Sequence, residues 1–159
     1  MKRSWLPRLA VAAGALVFFS AGVAMADMTL RQREFAKGQD DYFKREIDSA
    51  NDRCSTKFAA KIDWNSFKGE IDKHLDGKHA SSYSFYGFCA EPLGTMAGMC
   101  GDSEDSKSSV KKRIKSYTCK FGGKGKRKIE LKGSSLTMWV DWEAANYGDY
   151  IKGYLGKVL

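Results

Sequence analysis

Two aspartates stand next to tryptophan and could in principle do acid–base chemistry. Asp63 directly precedes Trp64, and Asp141 directly precedes Trp142 and follows Trp139 by two residues. Two carboxylates can serve as acid and as base or nucleophile in glycoside hydrolysis, and a tryptophan ring suits the face of a sugar. Asp63 is equally well explained as a helix N-cap, and sequence separation does not constrain distance in space. A secreted hydrolase of glycans or cell walls is therefore the alternative hypothesis, and no residue is assigned as catalytic.

Other kinds of reaction site lack their characteristic motifs. The sequence has no Gly-x-Ser-x-Gly elbow for a nucleophilic serine. The glycine-rich stretch 122–126 lacks the spacing of a phosphate-binding loop and the Ser or Thr after its lysine. Residues 101–109 are predicted to form a polar loop, and its acidic residues do not follow the pattern of an EF-hand loop. We therefore predict no cofactor and no metal site, and we expect a protein that binds rather than catalyses.

The segment Lys120–Lys132, here called the basic segment, is the compositional outlier of the chain. It contains one acid, Glu130, and six cations: Lys120, Lys124, Lys126, Arg127, Lys128 and Lys132. We interpret it as a basic hairpin that binds an anionic partner, such as a lipid surface, an acidic glycan or an acidic protein. Its strand lysines are expected to share the outer face, with Lys124, Lys126 and Arg127 at or near a mobile tip.

Two other interpretations of the basic segment remain open. The lysines of a solvated hairpin can simply prevent an edge strand from pairing with another chain. A basic hairpin can also insert into the acidic cleft of another enzyme, which would make the protein an inhibitor. Nucleic acid is not an expected partner, because the charge of the chain beyond residue 26 is only mildly basic.

Four cysteines, Cys54, Cys89, Cys100 and Cys119, follow the first 26 residues. An even number of cysteines in an exported chain predicts disulfides, here two, and the spacing does not match a zinc site. Three pairings are possible. We favour Cys100–Cys119, which closes the acidic segment and the helix between them, and this leaves Cys54–Cys89.

Residues 1–26 have the order of a secretory signal peptide. Three basic residues precede an apolar run, Leu9–Val23, which ends at the small-x-small site Ala24-Met25-Ala26. We expect cleavage before Asp27, no stable membrane span afterwards, and one small domain over residues 27–159 in the periplasm or outside the cell. The formal net charge of +8 includes those three basic residues, so residues 27–159 carry +5.

The remaining pattern predicts an α+β domain. Thr29 and Gln32 form a capping-box pattern at the start of a long amphipathic helix to Arg53. Further helices are expected from Asp63, from Pro92 towards Cys100, briefly near residue 110, and from Asn146 to the end of the chain. The aromatic residues between 83 and 88 are interpreted as core.

The region from about 117 to 142 alternates apolar and polar residues, which indicates strands with one buried face. We predict a three-stranded antiparallel meander, with N-terminal helices and the closing C-terminal helix covering that face.

Overall fold

A computed structural model describes Met25, residues 27–78 and residues 85–159. The elements are α1 (Leu30–Cys54), β1 (Ala59–Ile62), α2 (Trp64–Leu75), α3 (Phe85–Asp102), α4 (Glu104–Arg113), β2 (Ser116–Phe121), β3 (Lys128–Lys132), β4 (Ser135–Val140) and α5 (Tyr147–Val158). The predicted α+β class is confirmed. The predicted signal peptide lies outside the described residues except for Met25. Within the described residues, none of the helices has both the length and the apolar character needed to cross a membrane.

The long first helix begins as its sequence predicts. The backbone N–H of Thr29 donates to Gln32 Oε1 at 2.7 Å, and the backbone N–H of Gln32 donates to Thr29 Oγ1 at 3.3 Å. This reciprocal pair satisfies two N–H groups that have no partner within the helix. Ala36, Phe43 and Ala50 recur every seven residues and are buried. They form one stripe, against which α3 packs lengthwise.

The strands form one mixed sheet in the order β1-β2-β4-β3, so the predicted antiparallel meander is wrong. Strand β2 is parallel to both β1 and β4, and only β3 and β4 are antiparallel neighbours. Alternation decides which face a side chain occupies, but it does not decide which strand lies beside it. The connection 122–127 can extend about 20 Å. That reach is enough to cross the end of β4, because two strand spacings amount to about 10 Å.

Strand β1 has no counterpart in the sequence prediction. It is four residues long, and only Ile62 is buried. A single buried residue is too little for alternation to be detected. Ile62 lies opposite Cys119 of β2, so the strand extends the same buried face.

Two helices differ in extent from the prediction. Helix α3 begins at Phe85 and continues through Pro92, because apolar residues on both sides of the proline are buried together. Phe85 is 1% exposed, which confirms the core interpretation for that residue, whereas Tyr83 lies outside the described residues. Helix α4 occupies most of the predicted loop 101–109, and Ser103 caps it by accepting from the backbone N–H of Ser106 at 3.1 Å.

Two disulfides are present, but the favoured pairing is wrong. The bonds join Cys54 to Cys100 and Cys89 to Cys119, rather than Cys100 to Cys119 and Cys54 to Cys89. Helix α3 carries two of the cysteines about three turns apart. Cys89, near the start of α3, is bonded to Cys119 of β2, and Cys100, near its end, is bonded to Cys54 at the end of α1. Helix α3 is therefore bonded to the sheet near one end and to α1 near the other.

Candidate functional site

The side of the sheet that faces away from the helices is accessible to solvent, and we call it the open face. Its residues alternate with the buried Tyr117, Cys119, Leu136, Met138 and Val140. The strand register arranges them in three rows across the sheet: Ala59, Ser116, Ser135 and Lys132; Lys61, Thr118, Thr137 and Glu130; Lys120, Trp139 and Lys128. Hydroxyl groups and lysines therefore surround one tryptophan on this face.

Three lysines of the basic segment lie on the open face, as expected for its strand cations. The exposed fractions of their side chains are 38% for Lys120, 56% for Lys128 and 78% for Lys132. Lys61 of β1 adds a fourth cation, which the sequence analysis missed because it did not recognise β1. The open face thus collects lysines from three of the four strands.

On each side of the open face, one acidic residue lies beside the lysines. Lys120 Nζ lies 3.2 Å from Asp63 Oδ2, while Lys128 and Lys132 share Glu130 at 3.4 and 3.2 Å. The hydrogen bond from Lys132, with a smaller contribution from Lys128, lowers the pKa of Glu130. Exposed ion pairs of this kind are weak and exchange readily, so the lysines remain available to an external anion.

The centre of the open face holds polar groups with unused hydrogen-bonding capacity. Ser116 and Ser135 bond to each other across the strands at 2.8 Å. Within the described part of the chain, the hydroxyl groups of Thr118 and Thr137 and the indole N–H of Trp139 have no partner. The ammonium of Lys128 lies 5.1 Å from the centroid of the Trp139 ring. A ligand on this face would meet donors and acceptors that are not already engaged.

The basic segment is not a hairpin as predicted, because β4 lies between β2 and β3. Its connection 122–127, here called the basic loop, is held by hydrogen bonds rather than projecting as a free tip. Asp141, which is 5% exposed, accepts from the backbone N–H of Gly125 at 2.7 Å and from that of Glu143 at 3.0 Å. The hydroxyl of Tyr147 donates to the carbonyl oxygen of Asp141 at 2.6 Å. The side chain of Asp141 therefore fixes the loop over the end of β4.

The three cations of the basic loop have different surroundings. Lys124 Nζ pairs with Glu143 at 2.7 Å, and this contact raises the pKa of Lys124. Arg127 donates to the carbonyl oxygen of Ala145 and lies over the Tyr150 ring at 4.2 Å. Lys126 is exposed and has no side-chain partner among the described residues. Arg127 is thus part of the packing against α5, and only Lys124 and Lys126 point to solvent as expected for the tip.

Asp63 and Asp141 follow the ends of parallel strands at the same edge of the sheet, with β2 between them. Asp63 occupies the N-cap position of α2 but makes no side-chain capping bond, and pairs with Lys120 instead. Asp141 is buried and directs both carboxylate oxygens to backbone N–H groups. Neither residue lines either of two surface cavities in the described part of the chain.

These two cavities lie away from the open face. One, of about 350 Å³, sits where α1 and α4 end, and Lys57, Lys111 and Lys115 are among its lining residues. Lys115 Nζ donates to the carbonyl oxygen of Lys111 at 2.6 Å, so this lysine stabilises the carboxyl end of α4. The other, of about 210 Å³, lies between α3 and α5. In the described residues, no three side chains of His, Cys, Asp or Glu converge as metal ligands would.

The open face and the basic loop must be interpreted from their own chemistry. No protein-family model, no curated protein and no solved structure matches this chain.

Proposed function

We propose that this protein is an exported, non-enzymatic binding protein that uses the open face to bind an anionic partner. The observation that carries the proposal is the gathering of Lys61, Lys120, Lys128 and Lys132 on one solvent-accessible face of the sheet. Export is supported by the signal-peptide pattern of residues 1–26 and by two disulfides in the core.

The electrostatics of the open face favour an anionic partner. Glu130 is shared by two lysines, and Asp63 accompanies Lys120, so the lysines outnumber the acids on and beside the face. Lys128 and Lys132 keep more than half of their side-chain surface exposed, and an anion can approach them without displacing any packed group. Attraction to such a surface increases the rate of encounter and weakens with added salt.

The shape of the site supports binding rather than hydrolysis. No open-face residue lines either of the two surface cavities found in the described part of the chain, whereas enzymes usually enclose a substrate in a cleft. Asp141, which glycoside hydrolysis would need as an acid or base, already accepts two backbone hydrogen bonds. The geometry therefore supports a surface for association.

A charge-neutralising variant tests the proposal. Lys120→Gln, Lys128→Gln and Lys132→Gln in one chain should keep the fold, because all three side chains are on the surface. Binding would be measured by calorimetry with dextran sulfate, polyglutamate and anionic lipid vesicles at about 10 mM salt, where the screening length is about 30 Å. We expect the wild-type protein to bind at least one of these probes, and the variant to bind it about tenfold more weakly or worse.

The matched control removes the same charge elsewhere. Lys37→Gln, Lys44→Gln and Lys157→Gln change exposed lysines on α1 and α5, away from the open face, and should leave most of the affinity intact. Equal loss in both variants would mean that only net charge matters, and the open face would then not be the site. Failure of the wild-type protein to bind any anionic probe would overturn the proposed function.

A further inference from the structure

We infer that the partner of the open face is an acidic polysaccharide whose chain lies across the strands with a sugar ring against Trp139. The inference rests on the proposed function and specifies its ligand. It is carried by three features of the same face: unengaged hydroxyl groups, one tryptophan, and lysines on both sides of that tryptophan.

The hydroxyl groups indicate a ligand that has hydroxyl groups of its own. Thr118 and Thr137 are neighbours in one row, and Trp139 follows Thr137 by two residues on the same strand. Within the described residues their side-chain polar groups are unpaired. A Ser or Thr hydroxyl both donates and accepts, which suits the mixed donors and acceptors of a sugar. A polymer that only accepts hydrogen bonds, such as polyphosphate, can receive bonds from these hydroxyl groups and from the indole N–H but leaves the acceptor capacity of the hydroxyl groups unused.

Trp139 is the aromatic residue of the open face. It is half-buried and lies at the register position opposite Lys120 on one side and Lys128 on the other. Adjacent strands are about 4.8 Å apart. A ring stacked on the indole therefore places the acidic groups of neighbouring sugars within reach of flexible lysine side chains on either side. Such a ligand neutralises the lysines and covers the apolar indole at the same time.

The form of the face distinguishes this ligand from other anionic partners. Sheets that bind single-stranded nucleic acid by stacking usually offer two or three aromatic residues, whereas Trp139 stands alone here. Membrane-binding surfaces insert projecting apolar side chains, but Trp139 is half-buried and flanked by charge. An acidic polysaccharide has hydroxyl groups, negative charges and rings that can stack, so it matches the hydroxyl groups, the lysines and the single tryptophan of the open face.

The test compares acidic polysaccharides with anionic polymers of other chemistry and with one neutral polysaccharide. Calorimetric titrations of the full processed protein would use polygalacturonate, dextran sulfate, neutral dextran, polyglutamate, polyphosphate and oligothymidylate. We expect one of the two acidic polysaccharides to bind about tenfold more tightly than polyglutamate or polyphosphate, because of these three only the polysaccharide can both donate to and accept from the hydroxyl groups and stack a ring on the indole.

Three variants separate stacking and hydrogen bonding from charge. Trp139→Ala should weaken binding of the preferred polysaccharide by about tenfold and leave polyglutamate binding unchanged. Thr118→Val with Thr137→Val keeps the side-chain shape and should also weaken only the polysaccharide. Trp139→Phe should retain part of the affinity, and thermal melting would confirm that each variant is folded.

The outcomes of this test distinguish the inference from the proposed function. If polyglutamate and polyphosphate bind as tightly as the polysaccharides and the Trp139 variants change nothing, the inference is wrong and a general anion-binding function stands. Tighter binding of oligothymidylate would overturn it in favour of nucleic acid. If none of the charged polymers binds, both the inference and the proposed function fail.

Discussion

The carboxylate of Asp141 holds together the edge of the sheet at which the parallel strands end. It accepts hydrogen bonds from Gly125 in the basic loop and from Glu143 after β4, and it is almost completely buried. A buried carboxylate is tolerated when its oxygens receive such bonds. Its role is thus to position the loop that crosses β4.

Replacing the two candidate aspartates separately should have unequal effects on stability. Asp141→Ala leaves two backbone N–H groups without their acceptor and should cost about 2–3 kcal/mol in the free energy of unfolding. Asp63→Ala breaks only a partly exposed pair with Lys120 and should cost less than about 1 kcal/mol. Urea unfolding of both variants measures the difference. Equal and small losses would contradict the structural role of Asp141.

Asp40 on α1 should make stability depend on pH in a predictable direction. Burial, with a smaller effect from Asp41, raises the pKa of Asp40 above its ordinary value of 3.8, although the Trp64 indole N–H donates to it at 2.8 Å. A raised folded-state pKa means that the folded protein holds this proton more tightly than the unfolded chain does. The stability from this group is therefore present below pH 3.8 and is lost as the pH rises through the folded-state pKa.

The variant Asp40→Asn keeps an acceptor for Trp64 and removes the charge. Its melting temperature should be at least as high as that of the wild-type protein near pH 7, and the difference between the two should shrink as the pH falls. Melting temperatures across this pH range test the expectation. Asp48→Asn, an exposed change on the same helix, is the control. If the melting-temperature difference in favour of Asp40→Asn increased as the pH falls, the predicted direction of the pH dependence would be wrong.

The close packing of the basic loop against β4 depends on Gly122 at the start of the loop. A Cβ atom on Gly122 would lie 2.8 Å from the carbonyl oxygen of Lys126 and 3.0 Å from the Cβ of Trp139. Both neighbours belong to the loop and strand that must come together here, so a side chain would push the loop away from β4. The same displacement would disturb Trp139 on the open face.

Gly122→Ala should therefore destabilise the protein by about 1–3 kcal/mol. The matched control is Gly94→Ala, where a Cβ atom on the exposed surface of α3 would meet no atom within 4 Å. That change should stabilise the protein by about 0.5–1 kcal/mol, because alanine favours the helix. Chemical unfolding of the two variants measures whether each substitution raises or lowers the free energy of unfolding. A neutral Gly122→Ala variant would show that the loop is not closely packed.

Helix α3 is the element to which the other layers are attached. It packs along α1 and against α5, and its two disulfides reach α1 and the sheet. The closed loops span sequence separations of 46 and 30 residues. Loops of this length correspond to about 4 kcal/mol each in the chain-entropy account of disulfide stability. The two bonds thus supply a large part of the stability of a domain of this size.

Peptide mapping of the oxidised protein should find Cys54 linked to Cys100, and Cys89 linked to Cys119. Trypsin alone leaves Cys89 and Cys100 in one peptide, since no Lys or Arg lies between them. Cyanogen bromide cleaves after Met96 and Met99, and subsequent trypsin digestion separates all four cysteines. A Cys100–Cys119 peptide would contradict the pairing.

Replacing Cys54 and Cys100 together by alanine measures how much the Cys54–Cys100 bond contributes to stability. The free energy of unfolding should fall by about 2–5 kcal/mol, while the remaining Cys89–Cys119 bond should still form. Titration of the native double variant with a thiol reagent should find no free thiol. Two reactive thiols would show that the remaining cysteines do not pair.

Local features of the chain were largely predictable. The capping box at Thr29, the amphipathic stripe of α1 and the alternation in β2 and β4 each depend on residues close in sequence, and the structure contains all three. The same alternation predicted that Lys120, Lys128 and Lys132 would share one face. The face of a strand follows from its own pleat, whichever strand lies beside it.

The neighbours of each element were decided only in the tertiary structure. Strand order, the position of β1, the pairing of the cysteines and the task of Asp141 all depend on contacts between residues far apart in the chain. Several arrangements satisfy the same local pattern, and the choice among them follows from which one buries the apolar faces of the helices and the sheet together. Local periodicity was enough to predict the buried stripe of α1, the buried faces of β2 and β4, and the surface position of the lysines that alternate with them. The packing of α3 between α1 and the sheet, and the insertion of β4 between β2 and β3, decided where those surfaces meet.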